Sequence, residues 1–209
     1  MHIETYVAGP VQANNYLFCD DKFKEAVLID CSAYIPQLVK HVKENELNVK
    51  YILLTHGHFD HILGVNKMKK ELKTKVYIHK NDLKLAQNML EFMEAYSVPT
   101  DGCENPIIDG TLDELENPMV GENPIKIIET PGHTKGSVSY LITNHLFCGD
   151  TIFRKSVGRT DLPGGSFEEI KHSVRDILFN LDGSTSVYTG HGEFTTIGFE
   201  KQFNAILKY

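Results

Sequence analysis

Cysteine is scarce in this chain, and the four present, Cys19, Cys31, Cys103 and Cys148, lie far apart without a C-x-x-C among them. Neither a disulfide framework nor a thiolate zinc site is indicated, and a reducing cytoplasm fits such a composition best. Long apolar runs are missing too. No stretch approaches the roughly 18 residues of a membrane span, and the N-terminus, MHIETYVAGPVQANNY, lacks a basic segment followed by an apolar one. Positive charge is in deficit, with 21 Lys and Arg against 28 Asp and Glu, a net charge of −7. Nucleic-acid affinity rests on Lys and Arg neutralising phosphates, so neither nucleic acid nor membrane is expected as a partner.

What remains is ample for a globular protein: 209 residues with 41% hydrophobic and 10% aromatic content bury a full core without covalent staples. Short apolar, β-branched runs alternate with longer helical patterns, the mark of a layered α/β domain. Strands are expected at residues 26–29, 51–54, 76–78, 125–128, 138–142, 146–148 and 187–188, and helices at 35–46, 62–73, 82–96, 167–180 and 199–208. Residues 99–124 read as mostly loop. The helix from 167 is the best marked, because Ser166 and Glu169 form an S-x-x-E capping box ahead of apolar residues at helical spacing.

Four of the expected strands run directly into turns carrying metal-ligand residue types. YILL leads into THGHFDH (55–61), IKIIE into TPGHTKGS (130–137), LFC into Gly149 and Asp150, and SVY into TGHG (189–192). Loops at one end of a sheet are where α/β proteins build sites, since the sheet holds them rigidly. The block H-x-H-x-D-H would arise by chance at this chain's His and Asp frequencies about once in a thousand such sequences. On an extended turn, His56 and His58 project to one side, leaving Asp60 and His61 aimed at a neighbouring position. The ligands then balance as two sets. His56, His58 and His133 serve a first ion, Asp60, His61 and His191 a second, and Asp150 bridges them. A bridging hydroxide would complete each ion, with the two ions about 3.5 to 4 Å apart. Imidazole and carboxylate ligands suit zinc most readily, with iron or manganese as alternatives, and open positions point to catalysis. The remaining histidines, His2, His41, His79, His145 and His172, read as surface or rim residues, and Cys148 as a small buried apolar side chain.

THGHFDH, TPGHTKGS, FCGDTIF and TGHG, in this order and spacing, resemble the metallo-β-lactamase superfamily over essentially the whole chain. The resemblance implies an αββα sandwich, two mixed sheets flanked by helices, as a single domain over residues 1–209 with a dinuclear centre at one edge. An aspartate at the bridging position resembles the glyoxalase II branch, whereas the lactamases usually carry cysteine there. VGRTDLPGGS (157–166) and TGHGEFTTIGFEK (189–201) resemble the short bacterial glyoxalase-II-like hydrolases, and partly the persulfide dioxygenases. The chain departs from typical glyoxalase II in ending at Tyr209, without the helical C-terminal domain that supplies much of the glutathione site.

The expected activity is hydrolysis of a small anionic acyl thioester, with Asp60 and Asp150 as catalytic carboxylates. Two divalent ions outweigh the two carboxylates and a hydroxide, so the centre stays positive and attracts an anion. Lys155 and Arg159 are candidate substrate-binding cations; the bland reading of Arg159 is an ion pair with Asp161. Thr55, Thr130 and Thr134 are candidates to orient ligands, and Tyr16, Phe59 and Phe153 to form an apolar wall. The resemblance leaves two enzymatic alternatives, a dioxygenase with one iron on His56, His133 and Asp150, or a lactonase or other ester hydrolase.

Overall fold

In a computed structural model, which describes residues 1–209, two six-stranded sheets pack face to face. The first contains β1 (His2–Ala8), β2 (Ala13–Asp20), β3 (Glu25–Ile29), β4 (Asn48–Leu53), β5 (Lys75–Ile78) and β6 (Gly110–Thr111), in that spatial order. β1 to β3 form an antiparallel meander, after which β3 to β6 run parallel through helical crossovers. The second sheet holds β7 (Met119–Val120), β8 (Asn123–Glu129), β9 (Val138–Ile142), β10 (His145–Gly149), β13 (Ser186–Thr189) and β14 (Thr195–Thr196). Its order is β14-β13-β10-β9-β8-β7, with only β10 and β13 parallel. A two-stranded ribbon, β11 (Ile152–Phe153) and β12 (Ser156–Val157), follows β10.

Three apolar layers result. Phe18, Val27, Ile29 and Leu53 of the first sheet meet Ile125, Val138, Tyr140 and Phe147 of the second. The outer face of the first sheet is covered by α1 (Pro36–Glu44), α3 (Val65–Leu72), α4 (Lys80–Gln87) and α5 (Met89–Ala95); α2 (Phe59–Ile62) is a single turn at its edge. The outer face of the second is covered by α6 (Phe167–His172), its continuation to Asn180, and α7 (Ile197–Phe203). The expected αββα sandwich is the observed architecture. Each expected strand forms within three residues of its expected ends.

The departures have local causes. The N-terminal hairpin β1–β2 was not expected, because β2 is buried at every position although it carries Asn14, Asn15 and Asp20. Strand alternation is invisible when both faces are covered. The expected helix 82–96 is split at Asn88, which ends α4 and precedes α5. The capping box forms, with the Ser166 hydroxyl accepting from the Glu169 amide at 3.3 Å. The helix then widens into a π turn over Ser173–Ile177, where the Ser173 hydroxyl donates to the Pro131 carbonyl at 2.7 Å. Inside the expected loop 99–124 only β6, one 3-10 turn, β7 and the first two residues of β8 form. No helix is long and apolar enough to cross a membrane.

Candidate metal centre

Five strands of the two sheets end at the same edge, and each releases its next residues into one cluster. β3 ends before Asp30, β4 before the turn 55–61, β8 before His133, β10 before Asp150 and β13 before His191. The sheets are joined there, since Ala13 bridges to His191 and the Tyr16 hydroxyl donates to the Thr189 carbonyl at 2.6 Å.

The donor atoms fall into three sets, each drawn within 4.8 Å: His56, His58 and His133; Asp60, His61 and His191; and, joining them, His56, His61 and Asp150. The seven candidate ligand side chains are therefore brought together, with Asp150 in a set that shares a residue with each of the other two. The Asp150 oxygens lie 3.4 Å from His61 Nε2 and 3.6 Å from both His133 Nε2 and His191 Nε2. His58 Nδ1 faces His133 Nε2 at 2.9 Å, and His61 Nε2 faces His191 Nε2 at 3.3 Å.

Hydrogen bonds fix the tautomers, and they fix them for ligation. His133 Nδ1 donates to the Arg159 carbonyl at 2.8 Å, which leaves Nε2 as a lone pair turned inward. His61 Nδ1 donates to Asp30 Oδ2 at 2.8 Å. The Thr55 hydroxyl donates to that same carboxylate at 2.8 Å and so accepts from His56 Nδ1 at 3.0 Å. His56 Nε2 is left buried with no partner, as is Asp150 Oδ1. Buried acceptors without donors are costly, and a cation among these lone pairs is the species that satisfies them. The residues present fit a pair of divalent ions.

Electrostatics divides the two sets. Burial drives His56 well below the usual imidazole range and His58 down to about 3, so both are neutral ligands. Burial works against ionised Asp60 too, but its hydrogen bond to His191 at 3.2 Å and the nearby His61 hold its carboxyl below the usual range. Burial alone would also lower His61 and His191. Asp30 and Asp150 override it at His61, which rises well above its ordinary value, and Asp60 and Asp150 do so at His191, which rises.

Two further carboxylates hold the centre, and neither was expected. Asp30 accepts from the Thr55 amide as well, at 2.7 Å, and its backbone is left-handed (φ 62°), a conformation Asp tolerates better than most residues. An acidic residue at the C-terminal end of an apolar strand was the available signal. Asp82, in the first turn of α4, accepts from the Gly57 amide at 2.8 Å, the Gly136 amide at 2.8 Å and the Thr134 hydroxyl at 2.6 Å, locking two ligand turns together. Nothing in HKNDLK marks it. Two glycines are equally structural. Gly132 has φ 131° with the backbone of Ile170 against it, and a Cβ on Gly190 would strike Asp150 Oδ1.

The other sequence candidates separate. Thr55 touches a ligand, whereas Thr130 bonds Ser139 and Thr151, and Thr134 acts through Asp82. Phe153 lies beside His191, ring centroids 6.3 Å apart, but Tyr16 is in the core between the sheets and Phe59 packs on the outer layer. Lys155 has its ammonium 5.9 Å over the Phe199 ring and its amide tied to Glu200 at 2.9 Å. Arg159 makes a bidentate pair with Asp161, both contacts 2.7 Å, on an exposed loop. His79 is buried rather than at the rim, capping α4 through the Asn81 amide at 3.3 Å. Cys148 bonds only main-chain carbonyls, and burial pushes its thiol up to about 12.

The model of the Metallo-beta-lactamase superfamily matches residues 8–191, which span every proposed ligand. The chain belongs to that superfamily. Within it, the chain is similar to the hydroxyacylglutathione hydrolase GloC of Haemophilus influenzae, 31% identical over 216 residues that take in 99% of this chain and 98% of the relative. Among solved structures, the BLEG-1 B3 metallo-beta-lactamase superposes with a TM-score of 0.89 at 32% identity, covering 100% of both chains. TTHA1623 in a di-iron-bound form superposes with a TM-score of 0.82 at 31% identity, over 97% of this chain and 98% of that one.

Proposed function

We propose that the protein is a dinuclear metallohydrolase that cleaves a small anionic acyl thioester. The observation carrying this is the pair of complete ligand sets flanking Asp150, with the Nδ1 protons of His56, His61 and His133 anchored outward and their Nε2 atoms turned in. The likeness to GloC supports the thioester class. When bound, zinc, iron or manganese ions supply an activated water at neutral pH and polarise the substrate carbonyl.

The chain's own groups do the rest. Asp60, ionised and in contact with His191, positions the attacking water; Asp150, shared between the two sets, fixes their separation. Asp30 and Asp82 keep the ligand turns from relaxing, so the centre needs little reorganisation during reaction. Water adds to the thioester carbon and the carbon–sulfur bond breaks. The products are a carboxylic acid and a thiol, whose sulfur leaves readily as thiolate. Phe92 sits on His58, ring centroids 5.4 Å apart, and belongs to an apolar groove of about 620 Å³ with Leu85, Ala95, Tyr96 and Pro163. This groove receives the less polar arm of the substrate. Arg159, whose main-chain carbonyl holds His133, is the cation for its anionic end.

The test is turnover of a thioester panel beginning with S-lactoylglutathione, against oxygen consumption driven by glutathione persulfide. Metal-dependent thioester cleavage without oxygen uptake supports the proposal. Persulfide-driven oxygen uptake without thioester cleavage replaces it with the dioxygenase reading.

A further inference from the structure

A second group of metal-ligand side chains lies at the opposite end of the first sheet. His2 on β1 and Cys19 on β2 are directly paired across the antiparallel ladder, and His41 on α1 lies over them. One donor atom from each falls within 4.8 Å of the others. Donors around a tetrahedral zinc, at bond lengths of about 2.0 to 2.3 Å, stand roughly 3.3 to 3.8 Å apart, so rotamer adjustment closes the site without moving the backbone. Ala13 is bridged to His191 at the candidate metal centre, whereas Cys19 is six residues further along β2, about 20 Å away at 3.3 Å per residue. The two groups share no residue.

Three observations point to a cation here. His41 Nε2 is buried with no hydrogen-bond partner. His2 Nδ1 is held by Asp21 at 2.9 Å, the carboxylate–imidazole arrangement that orients a metal-bound histidine and leaves Nε2 free. Cys19 is a free, buried cysteine whose one hydrogen bond is a weak contact to the Leu17 carbonyl at 3.8 Å. A fourth ligand is at hand, since Glu4 shares the outer face of β1 with His2 and its Oε1 lies 4.0 Å from His2 Nε2.

We propose that His2, Cys19 and His41 form a separate thiolate-containing divalent-metal site, zinc by ligand type, that pins the β1–β2 hairpin to α1. One thiolate with two imidazoles is a borderline-soft set that selects zinc, and cobalt(II) as its spectroscopic substitute, over manganese or magnesium. Binding releases the Cys19 thiol proton to solvent. The spacing of residues 2, 19 and 41 hid this site from the sequence, because its donors come from three elements and no C-x-x-C announces it. The inference is independent of the proposed hydrolase activity.

Cobalt(II) added to the full chain tests it. None of the seven proposed ligands of the catalytic centre carries sulfur, so a near-ultraviolet sulfur-to-cobalt absorption reports on the new site alone. The expected result is a band that saturates at one equivalent, disappears in Cys19→Ser, persists in Cys148→Ser, and is bleached by zinc. Absence of the band from the wild-type chain, or its survival in Cys19→Ser, overturns the proposal. Should Cys19→Ser not fold, His2→Ala at a partly exposed position decides. The band's cobalt affinity is expected to fall more than about tenfold with thioester turnover unchanged, and an unchanged affinity overturns the proposal.

Discussion

His56, His58 and His133 lie in a buried recess, where burial keeps His56 and His58 from taking protons and leaves the Nε2 atoms of both without any partner. Asp60, His61 and His191 lie a few ångströms away and are built from the same residue types, yet they form an internally compensated network in which the Asp60 carboxyl is held below its ordinary range and both imidazoles are raised above theirs. The difference comes from neighbours. No carboxylate hydrogen-bonds His56 or His58 directly, whereas His61 has Asp30 at one nitrogen and Asp150 at the other. The first set is poised for a cation, while the second must surrender protons to accept one.

The largest expected effect comes from removing what the two sets share. Asp150→Ala should lower kcat/KM by more than about 100-fold and reduce bound metal, measured by steady-state turnover and elemental analysis on the same preparation. A near-normal rate with full metal content would detach Asp150 from the chemistry. Next comes Asp30→Asn, which tolerates the left-handed backbone but weakens the hold on His61 and Thr55. Metal affinity should drop about 10- to 100-fold, and in a titration of the chelated protein the loss should fall on the second equivalent. Gly190→Ala should act in the same direction by displacing Asp150, with loss of metal but a native circular dichroism spectrum.

Acidification should separate the sets without any mutation. As pH falls, His61 and His191, whose values are raised, take protons first and lose the lone pairs a metal needs; His58, lowered to about 3, resists to far lower pH. Manganese-loaded protein, chosen because thiolate binds manganese poorly, should pass from two ions to one before it passes to none. Loss of both in one step would remove the distinction. The smallest effect is expected at the rim. Arg159→Ala should raise KM for an anionic thioester severalfold at unchanged kcat, with little change in Tm, because an exposed ion pair such as Arg159–Asp161 contributes little to stability.

The same contrast governs what could be read before the fold was known. Four of the seven ligands lie in one six-residue turn, so their chemistry is local and visible in THGHFDH. His133, Asp150 and His191 were legible only because each follows an apolar run that ends abruptly, as a strand does at a site-bearing edge. Asp82 stayed hidden because its role exists only once α4 is laid against two ligand turns. The contact of Lys155 with Phe199 was not legible, because nearness in sequence to Asp150 says nothing of which way a left-handed residue between two short strands turns its side chain. β2 escaped because its polar residues are buried in hydrogen bonds formed only in the folded chain, Asn14 binding the Thr189 and Gly192 carbonyls at 3.0 and 3.1 Å. Function had overwritten the alternation by which strands are recognised.

Anomalous diffraction from crystals of the metal-loaded protein tests the central claim most directly. Two peaks about 3.5 to 4 Å apart are expected, one among His56, His58 and His133, the other among Asp60, His61 and His191, with Asp150 reaching both. A single peak held by His56, His133 and Asp150, with Asp60 and His191 still paired to each other after soaking in excess metal, would contradict it.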